Sequence, residues 1–531
     1  MPSAIVTGAT GILGREIVHR LGNNPRQWTS VYAISRSKKE EFPASVKHTF
    51  VDLLGSADSI AKDLQGLEAE YVFFSAYVEK ATEQENWDVN GDMLQNFLLA
   101  LEKTGLAGSL KRVVLVTGAK HYGVHLGPPK NPLQETDQRL TQDPFPPNFY
   151  YRQQDIVKSF CQKHSHVSWV VTYPNDVIGL AKGNFMNLAT SVGIYAAVSK
   201  ELGEDLAFPG SDQFYTMFDS FTDSKLHAEF CEWAALEPRA ANEDFNVVNG
   251  DVASWQSLWP LLARKFGMKV KPNQFADAQR RSSETKLVEK PPLSIYESEL
   301  GLEGRIQRGK IQQMADLVQW SKQSNVKQAW ERLADREGLE KDALDKATWA
   351  FLGMVLGRNY SIVVNMTKAR SLGWNSPSDC FFGLLRLAAA DQQCSLLSDL
   401  PPNIAESEDV LLGQQRDAAG IWSQAYADKD VDTMMSYVVD DYIQHNPNIQ
   451  SGKEIAQSYL TRQLASPGLV NNVTLVISQL NFVLLHVHRI QPGHRDRVIV
   501  DIYRLDGTCI VEHWDVQQDM DPDAPNPGAF F

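Results

Sequence analysis

The chain has 531 residues, 43% hydrophobic and 22% charged, too many for one ordinary core and too apolar for a disordered polymer, so two or more folded units are expected. Its 51 Lys and Arg against 65 Asp and Glu leave a formal net charge of −14, the wrong sign for the basic stripe that binds nucleic acid or an anionic membrane. The 5 cysteines, Cys161, Cys231, Cys380, Cys394 and Cys509, show no CxxC spacing, which argues for free thiols in a reducing compartment and against a disulfide framework or a metal site.

From the N-terminus, short β-rich runs at 4–6, 31–34, 49–51, 71–74 and 113–116 alternate with helical patterns such as 11–21. Strands that are continuously apolar rather than alternating belong to a parallel sheet covered on both faces, so a doubly wound α/β domain is expected. The first run stands where a signal peptide would have to lie, and no run approaches the ~18 apolar residues of a membrane span, so a cytoplasmic protein is expected. Helices at 184–201 and across 307–374 would wall a substrate cleft. Around 391–409 periodicity is lost, Pro401-Pro402 appears and the chain turns acidic, which marks a linker, bounded here as 393–410. Beyond it come helices at 411–429, 431–438 and 453–464, then strands at 473–479, 482–490, 497–505 and 508–517, with Asp506-Gly507 as a hairpin turn. The expected domains are 1–392, a smaller α+β unit at 411–520 and a loose tail at 521–531.

The strongest local signal is Gly8-Ala9-Thr10-Gly11-Ile12-Leu13-Gly14, which follows a strand and opens a helix. Glycines there permit a tight turn and close backbone approach to a pyrophosphate, which then faces the helix N-terminus. At the end of the second strand an acidic residue would read the ribose of NAD, but the chain has Ser35-Arg36-Ser37-Lys38. A guanidinium suits the 2′-phosphate, so NADPH is the expected cofactor. Asp52-Leu53 is placed to meet the adenine.

An ordinary short-chain reductase pairs Tyr with a Lys four residues on, and Tyr150-Tyr151-Arg152-Gln153-Gln154-Asp155 has none. A substitute stands in Thr117-Gly118-Ala119-Lys120-His121-Tyr122. Together with Asn148-Phe149-Tyr150-Tyr151, this stretch resembles the progesterone 5β-reductase and iridoid synthase family of short-chain reductases. The resemblance continues through Thr82-Glu83-Gln84-Glu85-Asn86, Met186-Asn187-Leu188, Tyr195-Ala196-Ala197, Phe245-Asn246, Asn249-Gly250-Asp251-Val252 and Leu356-Gly357, covering about 2–392. It implies NADPH-dependent reduction of the C=C bond of an enone or enal, with Tyr150 on the carbonyl oxygen, Tyr151 as the alternative, and Lys120 orienting cofactor and tyrosine. It also implies a nucleotide site formed by Thr10, Gly11, Ile12, Arg36, Ser37, Asp52, Leu53, Ala76, Tyr77, Val116, Val177, Asn184, Phe185 and Met186. The chain departs from the family at Ala76-Tyr77, Ala119, Leu126 and Tyr173-Pro174-Asn175, and these positions bear on the substrate.

The C-terminal segment, through Tyr442-Ile443-Gln444-His445-Asn446-Pro447 and the hairpin from Val500 to Val516, resembles the SnoaL-like polyketide cyclases, cones of NTF2-like fold enclosing a pocket. That resemblance implies proton transfer beside a carbonyl, with Asp501, His445, His488, Asp515 and Glu512 as candidates. Alternation puts His513 and Asp515 on one face of their strand and Glu512 and Trp514 on the other, and one pair must line the cone. The expected partners are a small carbonyl compound, terpenoid-like or polyketide-like, and a second copy in a homodimer, since domains of this fold also dimerise. Carbonyl reduction remains open, as does a redox-silent NADP-binding lyase or sensor whose second domain serves only assembly.

Overall fold

Strands that are apolar on both faces need cover on both sides, and the computed structural model arranges them accordingly. It describes residues 2–37, 41–181, 186–250, 252–276, 282–375, 408–446, 449–479, 482–506 and 509–521. The chain divides into two units, Met1–Cys394 and Ser395–Phe531. Most of the expected linker, and the tail beyond residue 521, lie outside the described residues.

In the first unit β1 (Ser3–Thr7), β2 (Ser30–Ser35), β3 (Val46–Phe50), β4 (Tyr71–Phe74), β5 (Arg112–Val116), β6 (Ser168–Pro174) and β7 (Glu243–Val247) form one sheet in the order β3-β2-β1-β4-β5-β6-β7. Every neighbouring pair is parallel. Helices α1 (Gly14–Gly22), α2 (Ala57–Asp63), α3 (Glu83–Lys103), α4 (Phe149–Lys163), α5 (Leu188–Glu201) and α6 (Ser224–Leu236) follow strands or loops at the carboxyl edge. The strand order reverses between β1 and β4, so a crevice opens outside their carboxyl ends, where doubly wound sheets bind ligands. The edge strand β3 lies at 46–50 rather than 49–51, because an edge strand alternates and its signal is not a continuous apolar run. The stretch 307–374 is less uniformly helical than expected: it begins with the strand Lys310–Gln313 and is cut into five short helices. With α5 and Trp255–Lys265 it encloses a separate apolar core around Trp255, Trp259, Phe208 and Phe214.

In the second unit β8 (Val438–Gln444), β9 (Val470–Gln479), β10 (Phe482–Ile490), β11 (Arg497–Asp506) and β12 (Cys509–Asp519) form a sheet ordered β8-β12-β11-β10-β9, antiparallel except for β8 beside β12. The expected helix at 431–438 ends at Ser436, and the β-branched run after it becomes β8. Trp422, Tyr426, Met434 and Met435 from the helices pack with Leu485, Val487, Ile499 and Tyr503 on one sheet face, an α+β cone-like arrangement. Among the described residues no helix is long and apolar enough to cross a membrane.

Candidate active site

Parallel strands deliver their following residues to one edge, and the crevice there gathers most of the expected nucleotide residues: Thr10 to Ile12 after β1, Arg36 and Ser37 after β2, Asp52 and Leu53 after β3, Ala76 and Tyr77 after β4, Val116 at the end of β5, and Val177 after β6. Met186 is half-buried before α5, whereas Asn184 and Phe185 lie outside the described residues. Gly8 has φ +64°, and a Cβ on it would come within 2.7 Å of Ser75 O; one on Gly14 would strike Gly8 O. Any larger residue would push the loop off β4, so these glycines hold a cradle open. The cap of α1, Leu13, makes no side-chain hydrogen bond, which leaves the helix start to an outside anion. Arg36 is exposed and makes no ion pair with any described residue. The residues present therefore fit a nicotinamide dinucleotide.

The two tyrosines at the start of α4 differ in their hydrogen bonds. Tyr151 OH donates to His121 O at 2.6 Å and accepts from Leu140 N at 3.0 Å, so its hydroxyl is fully occupied. Tyr150 OH has no hydrogen-bond partner among the described residues and stands 3.3 Å from where a Cβ on Gly118 would be, facing the crevice. Burial, then the carboxylates of Glu79 and Glu83, push the Tyr150 phenol well up, so it is a neutral O–H at physiological pH. Lys120 reaches Glu83 Oε1 at 3.1 Å and lies 5.8 Å from the Phe149 ring. Burial pushes Glu79 up, partly offset by Lys120.

Asn148 ties the two strongest candidates together. Its Oδ1 accepts from Tyr150 N at 3.1 Å, capping α4, and its Nδ2 donates to Lys120 O at 2.7 Å. Other motif residues are structural. Thr82 and Glu85 form the capping box of α3, placing Glu83 beside Lys120. Tyr122 OH donates to Asn246 Oδ1 at 2.6 Å, and His121, held to about 3 by burial, stacks on Tyr173.

In the second unit a cavity of about 570 Å³, counting its mouth, is lined by Tyr426, Tyr442, Gln444, Arg489, Asp501, His513 and Asp515 among others. Asp501 and Asp515 oppose each other across β11 and β12, and His513 Nε2 lies 3.0 Å from Asp501 Oδ1. Gln444 Oε1 accepts from Asn446 N, so its Nε2 faces His513 Nδ1 at 2.9 Å; this assigns the lone pair to Nδ1 and the ring proton to Nε2, towards Asp501. Asp501 Oδ2 is buried with no hydrogen-bond partner among the described residues. Burial, then the Asp501 carboxylate, push Tyr426 up.

Three expected members of this set lie elsewhere. His445 pairs with Glu512 at 3.2 Å and stacks on Trp514, on the other face of β12. His488 pairs with Asp496 at 2.9 Å and is not among the lining residues. For Glu512 the cause is a bulge: Leu505 opposes Ile510 but Arg504 opposes Glu512, so Val511 is an extra residue, whereas His488 alternates with the buried Val487 of β10 and faces away from the cavity. One residue of slip exchanges the faces of a strand, and here it turns His513 inward. His513 and Arg489 are absent from the expected set, although alternation had already placed His513 with Asp515.

A family model described as a PRISE-like Rossmann-fold domain matches residues 4–284, over half of the chain. The chain belongs to the PRISE-like Rossmann-fold family. An uncharacterised protein of Schizosaccharomyces pombe is 42% identical over 72% of this chain and 94% of its own length. The (S)-8-oxocitronellyl enol synthase ISY1 of Nepeta racemosa is 30% identical over 70% of this chain and 87% of its own. The 3-oxo-Δ(4,5)-steroid 5β-reductase of Arabidopsis thaliana is 28% identical with the same coverage. All three alignments are no longer than 385 residues, about the length of the first unit.

Proposed function

We propose that this PRISE-like domain is an NADPH-dependent reductase acting on the C=C bond of an enone or enal in small-molecule metabolism. The observation that carries the reading is the neutral Tyr150 hydroxyl at the carboxyl edge of the sheet, without a hydrogen-bond partner among the described residues, on a helix start that Asn148 ties to the backbone of Lys120. The names of the plant relatives, one an enol synthase and one a reductase of a conjugated steroid ketone, support the same chemistry. NADPH, when bound, supplies hydride to the β-carbon. Tyr150 donates a hydrogen bond to the carbonyl oxygen and stabilises the enolate, which takes its α-proton from solvent; the products are the saturated carbonyl compound and NADP⁺. A phenol held neutral is a better donor for this task than a phenolate. Lys120, kept in place by Glu83 and Asn148, would supply positive potential to the crevice. Arg36, where NAD enzymes carry an acid, supports the phosphorylated cofactor.

For the second unit the reading is a SnoaL-like proton-transfer domain acting on a carbonyl compound, with Asp501 as the base and His513 as the group that orients it. The buried Asp501 carboxylate, met by His513 at 3.0 Å inside a cavity also lined by Tyr426, Tyr442 and Tyr503, supports it.

The test is turnover of an enone panel with 4-deuterated NADPH. Deuterium on the β-carbon is the expected result, and deuterium on the carbinol carbon would replace this reading with carbonyl reduction. Tyr150→Phe should lower kcat by about 10²-fold or more with NADPH affinity retained. Asp501→Asn should leave NADPH oxidation intact and change the final product; an unchanged product removes the second domain from the chemistry.

A further inference from the structure

The segment from the end of β6, Pro174-Asn175-Asp176-Val177, touches both halves of the candidate site. Pro174 O and the Tyr150 hydroxyl each lie 3.3 Å from the position a Cβ on Gly118 would take. Three residues on, Val177 packs against Ile12, Leu13 and Ala181, and a Cβ on Gly179 would meet Ile12 at 2.6 Å. The segment is thus the floor between the glycine-rich loop and the tyrosine.

That floor is held from below by buried charge. Arg358, just past the helix Trp349–Leu356, grips Asp176 in two places, Nη2 to Oδ1 at 3.0 Å and Nη1 to Oδ2, and its Nη1 lies 3.4 Å from Asp219 Oδ2. The three side chains are 4%, 6% and 0% exposed. Asn175 donates from Nδ2 to Asp219 Oδ1 at 3.1 Å and to Ser220 O at 2.6 Å, and from its backbone to Thr222 Oγ1 at 2.9 Å. Burial draws the Arg358 guanidinium down but Asp176 overrides it, so the group stays charged. Burial and then Asp176 push Asp219 up.

Asp176 has φ +31°, a region that non-glycine residues adopt at a cost of about 1 kcal/mol or more unless their surroundings hold them. Buried ion pairs add little net stability, since desolvation offsets their attraction. What a planar fork on a carboxylate does supply is direction: it fixes position and rotation together.

We propose that Arg358 is a positioning residue for the cofactor. Through Asp176 it holds the backbone of 174–177, which runs between Ile12 and the Tyr150 hydroxyl, where it would support the nicotinamide half of a dinucleotide. This rests on the dinucleotide reading of the site, and Arg358 itself, being buried, acts only through the chain that it grips.

The experiment compares NADPH with adenosine 2′,5′-bisphosphate, which keeps the phosphorylated adenosine half and lacks the nicotinamide. Full-length wild type, Arg358→Met and Asp176→Asn are titrated calorimetrically, with circular dichroism and thermal unfolding confirming that each is folded. Arg358→Met should weaken NADPH by about tenfold while the bisphosphate stays within about twofold. Asp176→Asn, nearly isosteric, should shift NADPH the same way by a smaller factor and carries the test if Arg358→Met fails to fold. Wild-type NADPH affinity in the folded variants, or equal losses for both ligands, overturns the proposal. A wild type that binds neither ligand overturns the dinucleotide reading, and the proposal with it.

Discussion

Two adjacent tyrosines of identical chemistry have different uses here because α4 turns one toward His121 O and Leu140 N and the other toward the crevice. The same separation of chemistry from context applies to the histidines. Burial holds His121 and His227 at about 3, against about 6.5 for an unfolded chain. Between those values the unfolded state binds a proton that the folded state refuses. Stability is therefore complete above about pH 6.5 and falls as the pH drops toward 3, by about 1.4 kcal/mol per pH unit for each histidine. Acidification from pH 6.5 to 4.5 should lower the denaturation free energy of the first unit, and His227→Met should flatten that slope by about one proton. An unchanged slope would mean that His227 is not buried neutral. At this scale the motif residues were legible in the sequence, but which hydroxyl is free was not, because that depends on partners 30 and 11 residues away.

At the scale of elements, Asn148 is the joint between helix and loop. Asn148→Ala removes the cap of α4 and the tie to Lys120 O, and should cost about 1 kcal/mol of stability in a denaturant titration. It should also lower kcat more than the NADPH KM changes, since it loosens the relation of Lys120 to Tyr150 rather than the glycine-rich loop. A variant with lowered stability and wild-type kcat would leave Asn148 with only a capping role. Buried strands β1, β2, β4 and β5 were readable from their apolar runs. The edge strand β3 was displaced, the start of β8 was read as helix, and β6 and β7 were missed: edge and half-buried strands carry weaker patterns than central ones, and the apolar run of the central β6 is broken by Ser168, Thr172 and Pro174. The bulge at Val511 has no sequence mark at all, yet it decides which face of β12 enters the cavity.

In the whole molecule, the apolar cores of the first unit and of the second are made of separate residue sets. A chain ending at residue 394 is therefore expected to fold and to oxidise NADPH with an enone at a rate within about twofold of the intact protein. A tenfold loss would show that the second unit contributes to the first reaction. The net charge of −14 sharpens the question of how an anionic cofactor is held: the chain must do so locally, and among the described residues the start of α1, Arg36 and Lys120 offer positive potential at the crevice.

The sequence by itself determined the doubly wound α/β domain, the glycine-rich turn, the Tyr150 and Lys120 pair as candidates and the change of architecture toward the C-terminus. These depend on local periodicity and on residue types whose chemistry does not change with context. Only the tertiary structure decided which tyrosine is free, which histidine meets Asp501, and that Arg358, 182 residues from Asp176 along the chain, grips it. Those outcomes follow from register, burial and long-range pairing, which no local pattern encodes.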